Sequence, residues 1–387
     1  MGTVNRLDPA LLDAVRTRLV HQGHAADAEA ISSAVRSSGL VLDGPSVAQL
    51  TRSLQDEFGG LGPLDHLVRD PRVTDVLVNG PDEVWVDRGA GLIRAGVTFA
   101  DEAAVRALAV RLASRAGRRL DDATPFVDAR LPGGQRLHAV LPPLAVRGTT
   151  LSLRIPSGRR FALGDLLAAG TIDEGAAQWL VALIRARVSF LVSGGTGTGK
   201  TSVLGALLGL VPQDERMVIV EDTCELAPGH PHVVSLEARP ANVEGRGEIP
   251  MRMLVRQALR MRPDRLVVGE VRGAEVVDML AAMNTGHEGG CGTVHANSAA
   301  SVPDRLVALA LAAGMTLAGV HAQVAAGLDV ILHLAREPDG RRVLAEVGMV
   351  SQRSGEVVVQ PALVRRAGGL HPAAGYEALG RRLGTVP

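Results

Sequence analysis

Phe190-Leu191-Val192-Ser193-Gly194-Gly195-Thr196-Gly197-Thr198-Gly199-Lys200-Thr201-Ser202 opens as an apolar strand, passes through a glycine-rich turn and closes where a helix starts. Gly194 and Gly199 frame four residues and are followed by Lys200-Thr201, the spacing of a phosphate-cradling P-loop. In such a loop the backbone N–H groups surround phosphate oxygens, the lysine reaches the β- and γ-phosphates, and the hydroxyl of Thr201 faces Mg²⁺. Lys200 is the only lysine in the chain. All other basic side chains except histidine are arginine, so the surviving lysine does what arginine does not. Its compact ammonium seats as a point charge between phosphate oxygens, where a planar guanidinium does not fit. The expected ligands are a nucleoside triphosphate and Mg²⁺.

Working outward, 387 residues suffice for two domains with a core each. A hydrophobic content of 46% with 21% charged residues describes a folded chain and excludes a disordered one. The formal net charge of +0 argues against electrostatic gripping of nucleic acid, and 2% aromatics leaves few rings for stacking bases. No direct nucleic-acid contact is expected. Cys224 and Cys291 lack metal-ligand spacing and read as small apolar residues in a reducing cytoplasm. The start carries Arg6 and Asp8 and no apolar core of a secretory signal. The apolar stretch 306–335 is interrupted by Gly314, His321, Gln323 and Asp329, and reads as buried helices rather than a membrane span. A cytosolic protein is expected.

The segment 1–58 has helical periodicity, with Leu11, Leu12, Val15 and Leu19 and then Val47, Leu50 and Leu54. Gly59, Gly60, Gly62 and Pro63 end it. Residues 59–157 read as a mixed α/β module, with strands at 75–78, 83–87, 136–141 and 151–155 and a helix at 102–116. Pro156-Ser157-Gly158 marks a seam. In 158–387, apolar runs at 188–192, 217–220, 233–236 and 266–269 alternate with helical stretches at 201–210, 250–261 and 274–283. That alternation predicts a doubly wound, mainly parallel sheet, the α/β fold in which a P-loop stands after a strand. The tail 370–387 carries no readable signal.

Three more segments follow strands: Glu221-Asp222-Thr223, Glu270-Val271-Arg272-Gly273, and 285–297 with His287 and His295. The carboxyl ends of parallel strands line the ligand crevice, so these groups are expected near Lys200. Phosphoryl transfer to water requires charge neutralisation, a held metal and an oriented water. Glu221, Asp222 and Glu270 are the candidates for orienting water, with Thr201 and Glu270 for the metal. His295, beside an expected Gly292-Thr293 turn, is the candidate γ-phosphate contact. The alternative for Glu221 and Asp222 is capping of the following loop. For the histidines it is an ordinary polar loop role. Gly269 stands where an aspartate usually precedes the glutamate.

That departure, with Arg262-Pro263-Asp264-Arg265 before it and Val271-Arg272-Gly273 after it, resembles the ATPases of the type II/type IV secretion superfamily. Gly194 to Ser202 resembles their Walker A, 221–226 their acidic box, 266–273 their atypical Walker B and 285–295 their histidine box. The branch most similar is that of tight-adherence (Tad/Flp) pilus assembly, on Leu236-Glu237-Ala238-Arg239-Pro240, Thr293-Val294-His295-Ala296-Asn297-Ser298, Val78-Asn79-Gly80-Pro81 and Asp128-Ala129-Arg130-Leu131-Pro132. The likeness runs from about 58 to 333. It implies a RecA-like P-loop domain in a hexameric ring at the inner face of the cytoplasmic membrane. It also implies an inner-membrane platform partner, peripheral membrane association, and Arg130, Arg136 and Arg154 as phosphate-reaching arginines. Arg272 would hold Glu270 or a neighbouring subunit. The function so implied is ATP hydrolysis driving pilus assembly or secretion. The alternatives are service to a conjugation-type DNA channel, or a nucleotide-binding scaffold without turnover.

Overall fold

The computed structural model describes residues 32–33, 60–89, 91–156, 160–241, 245–367 and 369–384. The helical reading of 1–58 lies outside the described residues, apart from helical Ser32 and Ser33. The chain separates into two compact units, Met1–Ser157 and Gly158–Pro387.

The first unit contains β1 (Asp75–Gly80), β2 (Glu83–Asp87), β3 (Leu92–Arg94), α1 (Glu102–Arg115), β4 (Phe126–Arg130), β5 (Arg136–Val140) and β6 (Thr150–Arg154). The strands form one antiparallel sheet in the order β3-β2-β1-β6-β5-β4. Alternation along the strands buries Val76, Val78, Val84, Val86, Leu137, Ala139, Leu151 and Leu153 on one face. Val105, Leu108 and Leu112 of α1 close the same core. Asp101 caps α1 by accepting from Ala104 N at 2.8 Å. Glu102 joins the helix to the segment before β6, accepting from Thr149 N and Oγ1 at 3.0 and 2.6 Å. The strands β3 and β4 were not expected from the sequence. Leu92 and Ile93 of β3 are exposed on one edge strand, where no packed face imposes a period, while β4 on the other edge buries only Val127 and Ala129 beside exposed Phe126.

The second unit begins with α2 (Leu163–Ala168), α3 (Glu174–Arg185), β7 (Phe190–Gly194) and α4 (Lys200–Leu208). It continues with β8 (Met217–Glu221), β9 (Val233–Glu237), α5 (Met251–Ala258), β10 (Arg265–Val271), α6 (Glu275–Met283) and β11 (Cys291–His295). Then come α7 (Val302–Ala312), α8 (Leu317–Gly327), β12 (Val330–Arg336), β13 (Arg342–Arg353), β14 (Glu356–Arg366), β15 (Gly369–Pro372) and α9 (Tyr376–Leu383). Nine strands form one sheet in the order β15-β14-β13-β12-β7-β11-β10-β8-β9. The pairings from β12 across to β9 are parallel, and β13, β14 and β15 are added antiparallel. Helices α2, α3, α4 and α9 cover one face and α5 to α8 the other, so β7 and β8 are buried throughout. This is why both read as unbroken apolar runs.

Three expectations are corrected here. Residues 330–335 form β12 rather than the end of a buried helix, because α8 stops at Gly327 and Val330-Ile331 favour a strand. Gly292-Thr293 is not a turn but the middle of β11, where a Cβ on Gly292 would lie 2.4 Å from the Val268 carbonyl oxygen. The sequence leaves 370–387 without a signal, whereas 369–372 form β15 and 376–383 form α9. Leu370 N donates to Asp173 at 3.0 Å, Arg382 is bidentate to Asp329 at 2.8 and 2.9 Å, and Tyr376 packs edge-to-face on Trp179 at 5.3 Å. Among the described residues, no helix is long and apolar enough to cross a membrane.

Candidate nucleotide site

The glycine loop leaves β7 at its buried carboxyl end and enters α4 through Gly199, whose φ of 92° is left-handed and therefore suits glycine. Gly194 is constrained differently. A Cβ there would lie 2.6 Å from the Leu334 carbonyl oxygen and 2.7 Å from Thr198 Oγ1. Thr198 closes the turn by donating to the Gly195 carbonyl at 2.9 Å. Lys200 folds over the loop, its ammonium donating to the carbonyls of Gly194 at 3.0 Å and Gly195 at 2.8 Å. Burial pushes its pKa below the usual lysine range, while the charge of Glu270 pulls it back up. Thr201 and Ser202 are half-buried in the first turn of α4, and Thr196 and Gly197 are exposed at the tip. The result is a cation over a ring of backbone amides at a helix N-terminus, an arrangement that binds phosphate.

The neighbouring strand ends bring the acidic groups to the same edge of the sheet. β11 lies beside β7 with His295 opposite Gly194, so His295 sits exposed at the level where the loop begins. Arg272, just past β10, forms ion pairs with Glu270 at 2.5 Å and Asp222 at 3.2 Å, joining two strand ends. Of the two roles left open for Arg272, the structure displays the hold on Glu270. Glu275 fixes this corner by accepting from the backbone N–H groups of Arg272 and Gly273, both at 2.7 Å.

Glu221 is placed differently from the other acids. It is 4% exposed, and its Oε1 accepts from Glu225 N and Leu226 N at 3.1 Å each. Oε1 thus holds the loop after β8, as in the capping alternative. The burial of Glu221 also explains the missing aspartate. A Cβ on Gly269 would stand 2.5 Å from Glu221 Cγ, so the glycine makes room for this buried side chain. Thr293 adds a bond across the strands, donating to the Gly269 carbonyl at 2.6 Å.

The arginines expected to reach phosphates lie in the first unit. Arg130 is opposite Arg136 and Arg136 opposite Arg154, so the three form one row across β4, β5 and β6. Arg136 is also paired with Asp128 at 3.1 and 2.7 Å.

Sequence reading missed β12 as a wall of the loop. His333 lies opposite Ser193 and Leu334 opposite Gly194. His333 Nδ1 and Ser193 Oγ are 2.9 Å apart in the buried sheet, and Glu346 of β13 stands across from His333. Burial, and then the Lys200 charge, lower the His333 pKa. Burial raises that of Glu346. The available signal was a histidine closing the apolar run Val330-Ile331-Leu332.

At the opposite edge, Arg265 opens β10 only 1% exposed, held by Glu215 at 2.6 Å and the Ile184 carbonyl at 2.9 Å. Asp264 accepts from Arg216 N at 2.7 Å. The Arg262-Pro263-Asp264-Arg265 segment thus has a structural account away from the loop. Cys224 and Cys291 are both free, and burial pushes the Cys291 thiol up to about 12.

The family profile of type II/IV secretion system proteins matches residues 57–379. The chain belongs to this family. One relative is a putative conjugal transfer protein of Mycobacterium tuberculosis. It is 58% identical over 312 residues, 79% of this chain and 89% of the relative. The conjugal transfer protein TrbB of Rhizobium radiobacter is 33% identical over 302 residues, 76% and 88% of the two chains. Among solved structures, the pilus retraction motor PilT with bound ADP aligns with a TM-score of 0.54 at 20% identity, covering 75% of this chain and 82% of that one. The Legionella pneumophila ATPase DotB aligns at 0.51 and 17%, covering 72% and 77%. At such identities the two structures establish a common fold and nothing further.

Proposed function

We propose that this chain is a Mg²⁺-dependent ATPase that powers transfer through a membrane-embedded machine. The observation that carries the reading is the loop between β7 and α4, with Lys200 folded over its carbonyls and the Glu270–Arg272–Asp222 cluster on adjacent strand ends. An ammonium has three donors, and two of them rest on loop carbonyls that phosphate oxygens would replace. Partial desolvation strengthens the attraction of this cation for a polyphosphate. Thr201 and Glu270 fit as protein ligands of Mg²⁺, since Thr201 opens α4 beside Lys200 and the charge of Glu270 is felt at Lys200. When bound, that ion would neutralise charge on the phosphate oxygens.

In this account the loop amides from Gly194 to Gly199 hold the phosphates, and Thr196, Thr198, Thr201 and Ser202 shape the loop. Glu270 orients the attacking water or accepts its proton, and Arg272 fixes Glu270 in place. Asp222 supports Arg272, and His295 meets the γ-phosphate side. Residues 158–387 form the RecA-like nucleotide domain and 59–157 the smaller domain. Arg130, Arg136 and Arg154 reach phosphates across an interface in a hexameric ring at the cytoplasmic face of the inner membrane, against a platform protein.

The names of the two relatives support conjugal-type transfer as the process served. Tight-adherence pilus assembly rests on the sequence boxes alone. The neutral charge supports service to a channel without direct hold on the nucleic acid. Phosphate release by the wild type, Lys200→Ala and Glu270→Gln tests the catalytic assignment. Lys200→Ala loses about 10²–10³ in kcat and Glu270→Gln about 10²–10⁴. Full turnover by Glu270→Gln removes Glu270 from that role.

A further inference from the structure

The hairpin joining β12 and β13 stands beside the nucleotide loop. β12 runs parallel to β7 with Leu334 opposite Gly194, and two residues on Arg336 faces Arg342, the first residue of β13. A Cβ on Gly199 would lie 3.5 Å from Arg342 Cδ, so the aliphatic stem of Arg342 lies over the glycine that caps α4. The guanidinium follows a short step further along the side chain.

Its neighbours in the hairpin have partners. Arg336 donates to the Gly340 carbonyl at 3.1 Å, and Arg341 is paired with Glu337 at 2.9 Å and Asp339 at 2.6 Å. Arg342 is exposed, and among the described residues no carboxylate lies within ion-pair distance of it. The cation that tops the loop beside it is Lys200. Two cations, of which Lys200 feels the charge of a carboxylate, Glu270, together with a row of helix-terminal amides, are complementary to a polyphosphate.

We propose that Arg342 is a nucleotide-binding residue supplied from within the same chain, its planar fork contacting the α- or β-phosphate of the bound nucleotide. The assignment rests on the nucleotide-site reading above. It differs from the three arginines of the first unit in belonging to the P-loop unit itself. Proximity to Gly199, where the loop's amides cradle the α- and β-phosphates, makes the contact common to ATP and ADP. Lysine would replace it poorly, because a point charge lacks the bidentate fork.

The test is displacement of a fluorescent nucleotide by ADP and by ATP, using the full chain and its Arg342→Ala, Arg342→Lys, Arg341→Ala and Lys200→Ala variants. A charge-assisted contact of ordinary strength corresponds to about a tenfold loss of affinity on truncation. Arg342→Ala should weaken ADP and ATP equally by about tenfold, Arg342→Lys should recover only part, and Arg341→Ala should bind as wild type. Arg342 is exposed, so the melting temperature of Arg342→Ala should stay at the wild-type value, and Arg342→Gln repeats the measurement with more side chain retained. Wild-type affinity in both Arg342→Ala and Arg342→Gln, with Lys200→Ala impaired, overturns the inference and leaves the nucleotide site standing. A loss confined to ATP overturns the α/β assignment. Absence of nucleotide binding by the wild type removes the underlying reading, and the inference with it.

Discussion

At the residue scale, the most specific interaction is between a glycine and a buried acid. Gly269 lacks the side chain that would collide with Glu221, and Glu221 in turn holds the loop after β8. Gly269→Ala is expected to cost about 1–3 kcal/mol of stability, read as a shift of the urea midpoint, with Gly269→Asp costing more. Unchanged midpoints would mean that Glu221 swings away without penalty. His333 gives a pH prediction. Its pKa is lowered in the folded protein by burial and by Lys200, while the unfolded chain binds a proton near 6.5. Stability from this group is therefore present above 6.5 and is lost as pH falls through the lowered native value. Glu346, facing His333, has a raised pKa and contributes in the opposite sense, its stabilisation lost as pH rises through its native value. Urea unfolding from pH 7.5 to 5.5 should show a smaller loss in His333→Gln than in wild type. An identical pH slope in the two proteins would contradict this account of His333.

At the element scale, what was legible in the sequence follows burial. Strands β7, β8 and β10 were visible because burial on both faces demands unbroken apolar runs, and α4, α5 and α6 because helices pack a stripe onto that sheet. The loop's place between β7 and α4 followed from its glycines. Strand β3 was hidden because all three of its residues are exposed, and β4 because its core-facing side consists only of Val127 and Ala129. β11 was hidden by Gly290 and Gly292, which resemble turn residues until the closeness of Val268 is known. Strand β12 and the antiparallel extension β13 to β15 were hidden because polar residues interrupt their apolar runs, His333 among them, whose partner Ser193 is distant in sequence. Asp173 shows how that extension is pinned. It caps α3 by accepting from Ala176 N at 2.7 Å, and it accepts from Leu370 N in β15. Asp173→Ala should lose about 1–2 kcal/mol and speed amide exchange in both α3 and β15. Exchange altered in α3 alone would show that the link to β15 has no energetic weight.

At the scale of the whole molecule, the Lys200 loop and the arginine row of β4, β5 and β6 belong to different compact units of the chain. If copies of the chain complete one another's sites, activity must depend on assembly. The direct measurement is Mg²⁺-dependent phosphate release by wild type and Lys200→Ala across a range of protein concentrations. The account predicts turnover per chain that rises cooperatively with concentration and is lowered about 10²–10³-fold by Lys200→Ala at every concentration. ATP binding without phosphate release at any concentration, or turnover in Lys200→Ala equal to wild type, would contradict it.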